Sequence, residues 1–119
     1  MKISDKLKTF KLKNKPILIG GKALEYYGLR KSYDWDFIIS EHDFEKMKQE
    51  FGQFHDFPKN TPGVKLFYET ANDELEIDMF VSMYDKFNYN SLIKKSLSDK
   101  HYNVIDLTDL LKLIAKNLP

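Results

Sequence analysis

The most constraining feature of this chain is a pair of glycines, Gly20-Gly21, set between a short apolar run and a segment with helical periodicity. Upstream, Ile17 to Ile19 are bulky and apolar, as in a buried strand. Downstream, Ala23, Leu24 and Tyr27 recur at helical spacing while Lys22, Glu25 and Tyr26 face elsewhere, and Gly28 ends the helix. A second apolar run, Tyr33 to Ile39, carries Asp34 and Asp36. Lys15 to Ser40 therefore reads as strand, glycine turn, helix, strand.

Side chains alternate along a strand, so Asp34 and Asp36 share one face while Trp35 and Phe37 take the other. Two carboxylates so placed repel by about 2 to 3 kcal/mol at an effective dielectric near 20, and something should compensate them. A divalent cation does so. Hard oxygen ligands on a rigid strand suit Mg²⁺, one ion or two, with Mn²⁺ as the alternative, and Mg²⁺ completes its shell with water and substrate phosphates. Gly20-Gly21 would let backbone approach a ligand closely and offer free N–H groups to an anion. Taken alone, an Asp-x-Asp arises by chance and a Gly-Gly is an ordinary tight turn. Their conjunction at the ends of neighbouring elements describes a metal-phosphate site.

The ordered set Gly20-Gly21-Lys22-Ala23-Leu24, Tyr27-Gly28-Leu29-Arg30 and Ser32-x-Asp34-x-Asp36 resembles the signature of the DNA polymerase β-like nucleotidyltransferase superfamily. Within it the pattern is most similar to the abortive-infection and toxin-type nucleotidyltransferases. The resemblance covers the first third of the chain. It implies an α/β (α+β) nucleotidyltransferase fold, with a small mixed β-sheet and helices mainly on one face. It also implies Asp34, Asp36 and a third carboxylate as catalytic metal ligands, and Gly20, Gly21, Lys22, Arg30, Lys31 and Ser32 around the nucleotide. Arg30 would contact phosphate or brace the aspartates, and Ser32 would serve the turn or the site.

The third carboxylate is sought in two alternating runs, Gly63 to Thr70 and Glu74 to Ser82, which read as a β-hairpin joined around Ala71-Asn72-Asp73. In the second run Leu75, Ile77, Met79 and Val81 share one face, and Glu76, Asp78 and Phe80 the other. An aspartate amid Ile77, Met79 and Phe80 calls for a cation or a metal. The superfamily places its third carboxylate on such a strand, so Asp78 is the expected ligand, with Glu76 as runner-up and a solvent-facing edge acid as the bland reading.

The remainder reads as scaffold. Residues 1–15 hold six lysines against Asp5, either an arm for phosphate backbones or a solvated helix with Ser4 as cap and Leu7 and Phe10 against the core. Ser40 caps a helix bearing Phe44, Met47 and Phe51 on one face and closed by Gly52, its acids paired with lysines on the exposed side. Gln53 to Pro62 reads as a loop containing a lone exposed His55. Met83 to Asn90 reads as irregular, Tyr89 to Leu97 as a short helix and His101 to Ile105 as a strand. Thr108 to Asn117 reads as a helix capped by Thr108, with Leu107, Leu110, Leu111, Ile114 and Leu118 as its buried stripe.

At 119 residues the chain suits one nucleotidyltransferase-like domain over 1–119: basic arm 1–15, catalytic core 16–82, and a C-terminal strand and helix 83–119. The absence of cysteine excludes disulfides and thiol catalysis. With no long apolar run and no leader pattern, the expectation is a cytoplasmic protein with no membrane partner. The resemblance implies transfer of a nucleoside monophosphate from a nucleoside triphosphate to a hydroxyl of RNA, especially tRNA, or of a protein. A net charge of +1 does not itself announce nucleic-acid binding. Two alternatives remain: an inert nucleotide-binding or regulatory module of the same fold working with a partner protein, and a small nucleic-acid binder using its lysine-rich end.

Overall fold

A computed structural model describes residues 2–50, 53–57, 61–70, 73–84 and 86–117. The chain opens with helix α1 (Ile3–Phe10), whose Leu7 and Phe10 are buried as expected. Its N-cap is Lys2 with no side-chain hydrogen bond, so Ser4 lies inside the helix and is not the cap. Strand β1 (Ile17–Ile19) is buried at all three positions and leads directly into α2 (Gly20–Tyr26). Gly28, at φ +75°, closes α2: its N–H donates to Glu25 O at 2.9 Å and Leu29 N–H to Leu24 O at 2.9 Å. This paired reversal satisfies the last carbonyls, and the left-handed backbone favours glycine.

Strand β2 (Trp35–Ile38) returns antiparallel to β1, with Ile17 opposite Ile38 and Ile19 opposite Asp36. Helix α3 (Glu41–Glu50) follows, and Ser40 caps it by accepting Asp43 N–H at 3.2 Å. Phe51 and Gly52 lie outside the described residues. Asp43 departs from its expected exposed pairing. It is fully buried and accepts the N–H groups of Lys13 and Asn14, each at 2.9 Å.

The stretch read as a loop from its prolines contains β3 (Gln53–Phe57), which pairs antiparallel with β4 (Thr61–Thr70) and sets His55 opposite Gly63. Phe54 and Phe57 supply strand-forming residues there, and Pro62 sits at the second position of β4 opposite Asp56, near a strand end where proline is tolerated. The expected hairpin forms between β4 and β5 (Asp73–Phe80). Ala71 and Asn72, its expected turn, lie outside the described residues.

Residues read as irregular include a two-stranded ribbon, β6 (Ser82–Met83) with β7 (Phe87–Asn88). Then come α4 (Tyr89–Ile93), shorter than expected because Leu97 begins β8 (Leu97–Ser98), then β9 (Asn103–Val104) and α5 (Leu107–Asn117). The cap of α5 is Asp106, whose Oδ2 accepts Asp109 N–H at 3.3 Å, and not Thr108. Its buried apolar positions are Leu110 and Leu113, while Leu107 and Leu111 are exposed; Leu118 lies outside the described residues.

The result is a mixed α+β architecture. Among the described residues seven strands form one mixed sheet in the order β3-β4-β5-β2-β1-β9-β8. Parallel pairing of β2 with β5 and of β1 with β9 places the most apolar segments at the centre. Ile17, Phe37, Ile38, Ile77, Met79 and Val104 there are all fully buried. Directly paired residues share a face. One face therefore carries Ile19, Asp36, Ile38, Asp78 and Phe80, and the other Leu18, Trp35, Phe37, Ile77 and Met79.

Candidate metal and phosphate site

At the carboxyl end of β1 the backbone turns sharply at Gly20, with φ +66°. A Cβ there would lie 2.6 Å from Asp36 Oδ2 and 3.4 Å from both Cβ and Cγ of Asp36. A Cβ on Gly21 would collide with Ser32 Oγ and come within 3.4 Å of Arg30 Nη2. The space vacated by the two missing side chains is thus filled by the chain's own polar groups. Glycine at 20 is required twice, by the left-handed backbone and by the carboxylate lying against it. No side chain caps α2, whose first turn begins at these glycines.

The register brings two aspartates together. Asp36 of β2 is the direct partner of Asp78 on the parallel neighbour β5, a strand spacing of roughly 4.8 Å. Asp36 is partly buried, and its carboxyl is pushed up from 3.8 to about 7. Burial is the largest cause, followed by the charges of Asp78 and Asp34, a hydrogen bond with Asp78, and the charge of Glu76. The Asp36 carboxyl consequently resists ionising beside Asp78.

Asp34 stands just before β2 and is exposed, acting on Asp36 through its charge. Among the described residues, no three aspartate, glutamate, histidine or cysteine side chains form a ready-made metal cluster. The expected trio is therefore present as a close pair, Asp36–Asp78, with Asp34 and Glu76 as flanking charges. The donor set still fits a hard cation: carboxylate oxygens only, from β2, β5 and the residues beside them, gathered at one place.

The expected cations divide between two places. Arg30 and Ser32 gather at Gly21. Lys22 instead pairs with Glu25 at 2.8 Å and lies 4.8 Å from the ring centroid of Trp35, which faces away from the aspartates. Glu25 also accepts the backbone N–H of Ser32 and feels the charge of Lys31, and the Lys22 hydrogen bond leads the causes that hold its carboxyl below the usual range. Glu25 thereby ties the 30–32 loop to α2. Its sequence signal was only the Lys22–Glu25 spacing, which is common on exposed helices.

The C-terminal helix also reaches the site. Leu110, Leu113 and Ile114 of α5, with Ile19, Phe80 and Met83, surround a cavity of about 110 Å³ beside Gly20 and Asp36. These apolar walls explain why burial dominates the behaviour of Asp36. The sequence marked α5 as apolar, but nothing in its stripe said which carboxylate it would cover. The N-terminal lysines, by contrast, lie toward the opposite end of β1, where Lys15 and Pro16 precede the strand.

Comparison with protein-family models, with curated proteins and with solved structures finds no match to this chain. Among the described residues, no helix is long and apolar enough to cross a membrane.

Proposed function

We propose that this chain is a metal-dependent nucleotidyltransferase of the DNA polymerase β-like fold, acting on a nucleoside triphosphate in a toxin or phage-defence setting. The observation that carries the reading is the registered Asp36–Asp78 pair packed on the Gly20 turn. The topology supports it: strand, glycine turn, helix, an antiparallel carboxylate strand, then a parallel strand with a further carboxylate.

In this reading Asp36 and Asp78 hold Mg²⁺, with Asp34 as the third ligand. When bound, the ion supplies Lewis-acid stabilisation of charge on the transferring phosphate and the leaving pyrophosphate. The backbone N–H groups at Gly20-Gly21 and the Arg30 guanidinium orient the triphosphate, while Lys31 adds positive charge at the loop. The acceptor oxygen bonds to the α-phosphorus, its proton passes to Asp78, and the bond to the β-phosphate oxygen breaks to release pyrophosphate. No nucleophilic side chain is needed. The reading extends to a large acceptor, RNA or protein, that brings its own binding surface.

One observation favours the second reading, a nucleotide-binding module without transferase activity. Lys22, expected beside the nucleotide, is engaged by Glu25 and Trp35. Thermal unfolding tests the shared premise of both readings. Nucleoside triphosphate with Mg²⁺ should raise the midpoint of the wild type and raise that of Asp36→Asn far less. Equal shifts in the two proteins would remove the metal site from both readings.

A further inference from the structure

Five lysines and a histidine line one hollow at the end of the sheet opposite the aspartates. It measures about 270 Å³ and is lined by Lys8, Lys11, Lys13, Lys15, Lys100 and His101. They come from three segments: the last turn of α1, the strap between α1 and β1, and the loop between β8 and β9. No carboxylate lines the hollow. Lys15 Nζ is occupied, donating to Ser98 Oγ at 3.0 Å and to Asp99 O at 2.5 Å, which fastens the loop to the strap. Among the described residues, Lys8, Lys11, Lys13 and Lys100 have no ion-pair partner.

The strap is held from behind. The buried Asp43 carboxylate accepts Lys13 and Asn14 N–H at 2.9 Å each. Lys46 Nζ donates to Phe10 O at 2.7 Å and Lys11 O at 2.8 Å, and Tyr89 O–H donates to Lys15 O at 2.8 Å. These bonds use backbone groups and engage neither the Lys11 nor the Lys13 ammonium group. A chain of net charge +1 has thus concentrated cations at one fixed place, against their mutual repulsion.

We propose that this hollow is a second anion site, independent of the carboxylate site, that takes a compact phosphorylated ligand: the linked phosphates of a nucleoside di- or triphosphate, or free pyrophosphate. Linked phosphates put several charges into one small volume, matching five lysines that line one small hollow. A nucleic-acid backbone spreads single charges along a track, and among the described residues His101 is the one aromatic ring lining the hollow, too few for successive bases to stack on. Ammonium groups bind phosphate as point charges, and the apolar Leu7, Leu12 and Pro16 in the wall strengthen the attraction by excluding water.

The test is calorimetric titration with inorganic pyrophosphate in EDTA at low salt, where the metal-free aspartates repel the anion. The site predicts one equivalent bound by the wild type and by Asp36→Asn. Lys11→Gln/Lys13→Gln and Lys100→Gln should each weaken it by about tenfold or more. Gln keeps the backbone N–H groups that Asp43 uses, and Lys100→Gln lies in a different segment, so misfolding of one variant leaves the other informative. Absence of binding, binding unchanged in the lysine variants, or equal affinity for sulfate at matched ionic strength would overturn the proposal. A single-stranded RNA that binds through these lysines where pyrophosphate does not would reassign the hollow to a nucleic-acid backbone and also overturn it.

Discussion

Replacing Asp36 with asparagine should stabilise the metal-free protein, and by an amount that depends on pH. Burial and the neighbouring Asp78 and Asp34 raise the Asp36 carboxyl from 3.8 to about 7. A raised carboxyl contributes stability that is fully present below its unfolded value and lost as pH rises through its folded value. Between about pH 4 and pH 7 the folded wild type binds the extra proton, so its stability falls with rising pH by up to ~1.4 kcal/mol for each tenfold drop in proton concentration. Over the whole window that amounts to about 4 kcal/mol, an upper bound because Asp78 shares the proton. Asparagine is neutral throughout and still offers Asp78 a hydrogen bond. Urea unfolding in EDTA should therefore show Asp36→Asn gaining on the wild type by about 2 to 4 kcal/mol at pH 8, and by less than about 1 kcal/mol near pH 4.5. An equal difference at both pH values would refute the coupled pair.

Three further outcomes follow from the same geometry. Gly20→Ala should cost more than about 2 kcal/mol, since a Cβ would meet Asp36 Oδ2 at 2.6 Å on a left-handed backbone, whereas Gly28→Ala, with open space around it, should cost only about 1 kcal/mol; chemical denaturation compares them. Asp43→Ala should lose about 2 to 4 kcal/mol, as two charge-assisted bonds to the strap disappear, and amide exchange at Lys13 and Asn14 should accelerate. Lys22→Ala should leave nucleotide affinity within about threefold of wild type because its ammonium faces Glu25 and Trp35, whereas Arg30→Ala should weaken it by about tenfold or more; isothermal titration separates the two.

The centre of the fold was legible because its signals are local. Ile17 to Ile19, the glycines and the alternation around Asp36 and Asp78 each carry their own periodicity, and the hairpin forms as read. The misreadings arose where a strong local signal met a tertiary demand. The prolines near residues 58 and 62 argued for a loop, yet Gln53–Phe57 extends the sheet beside β4. Thr108 is a good cap, but Asp106 reaches the Asp109 N–H first. Asp43 looked like one more exposed helical acid, and only the return of the N-terminal strap over α3 buries it. In the candidate site, alternation put Asp78 on one face of its strand and the resemblance alone implied that this strand neighbours Asp36, while the apolar cover from α5 depends on long-range packing that no spacing encodes.

The most direct measurement is nucleotidyl transfer itself. The protein would be incubated with each α-labelled nucleoside triphosphate, Mg²⁺, and total cellular RNA or protein as acceptor, alongside Asp78→Asn and an EDTA control. If the Asp36–Asp78 pair is a catalytic metal site, label enters one of the two pools with the wild type, and is lost in Asp78→Asn and in EDTA while the variant remains folded. Label entering neither pool, or entering equally with Asp78→Asn, would contradict it.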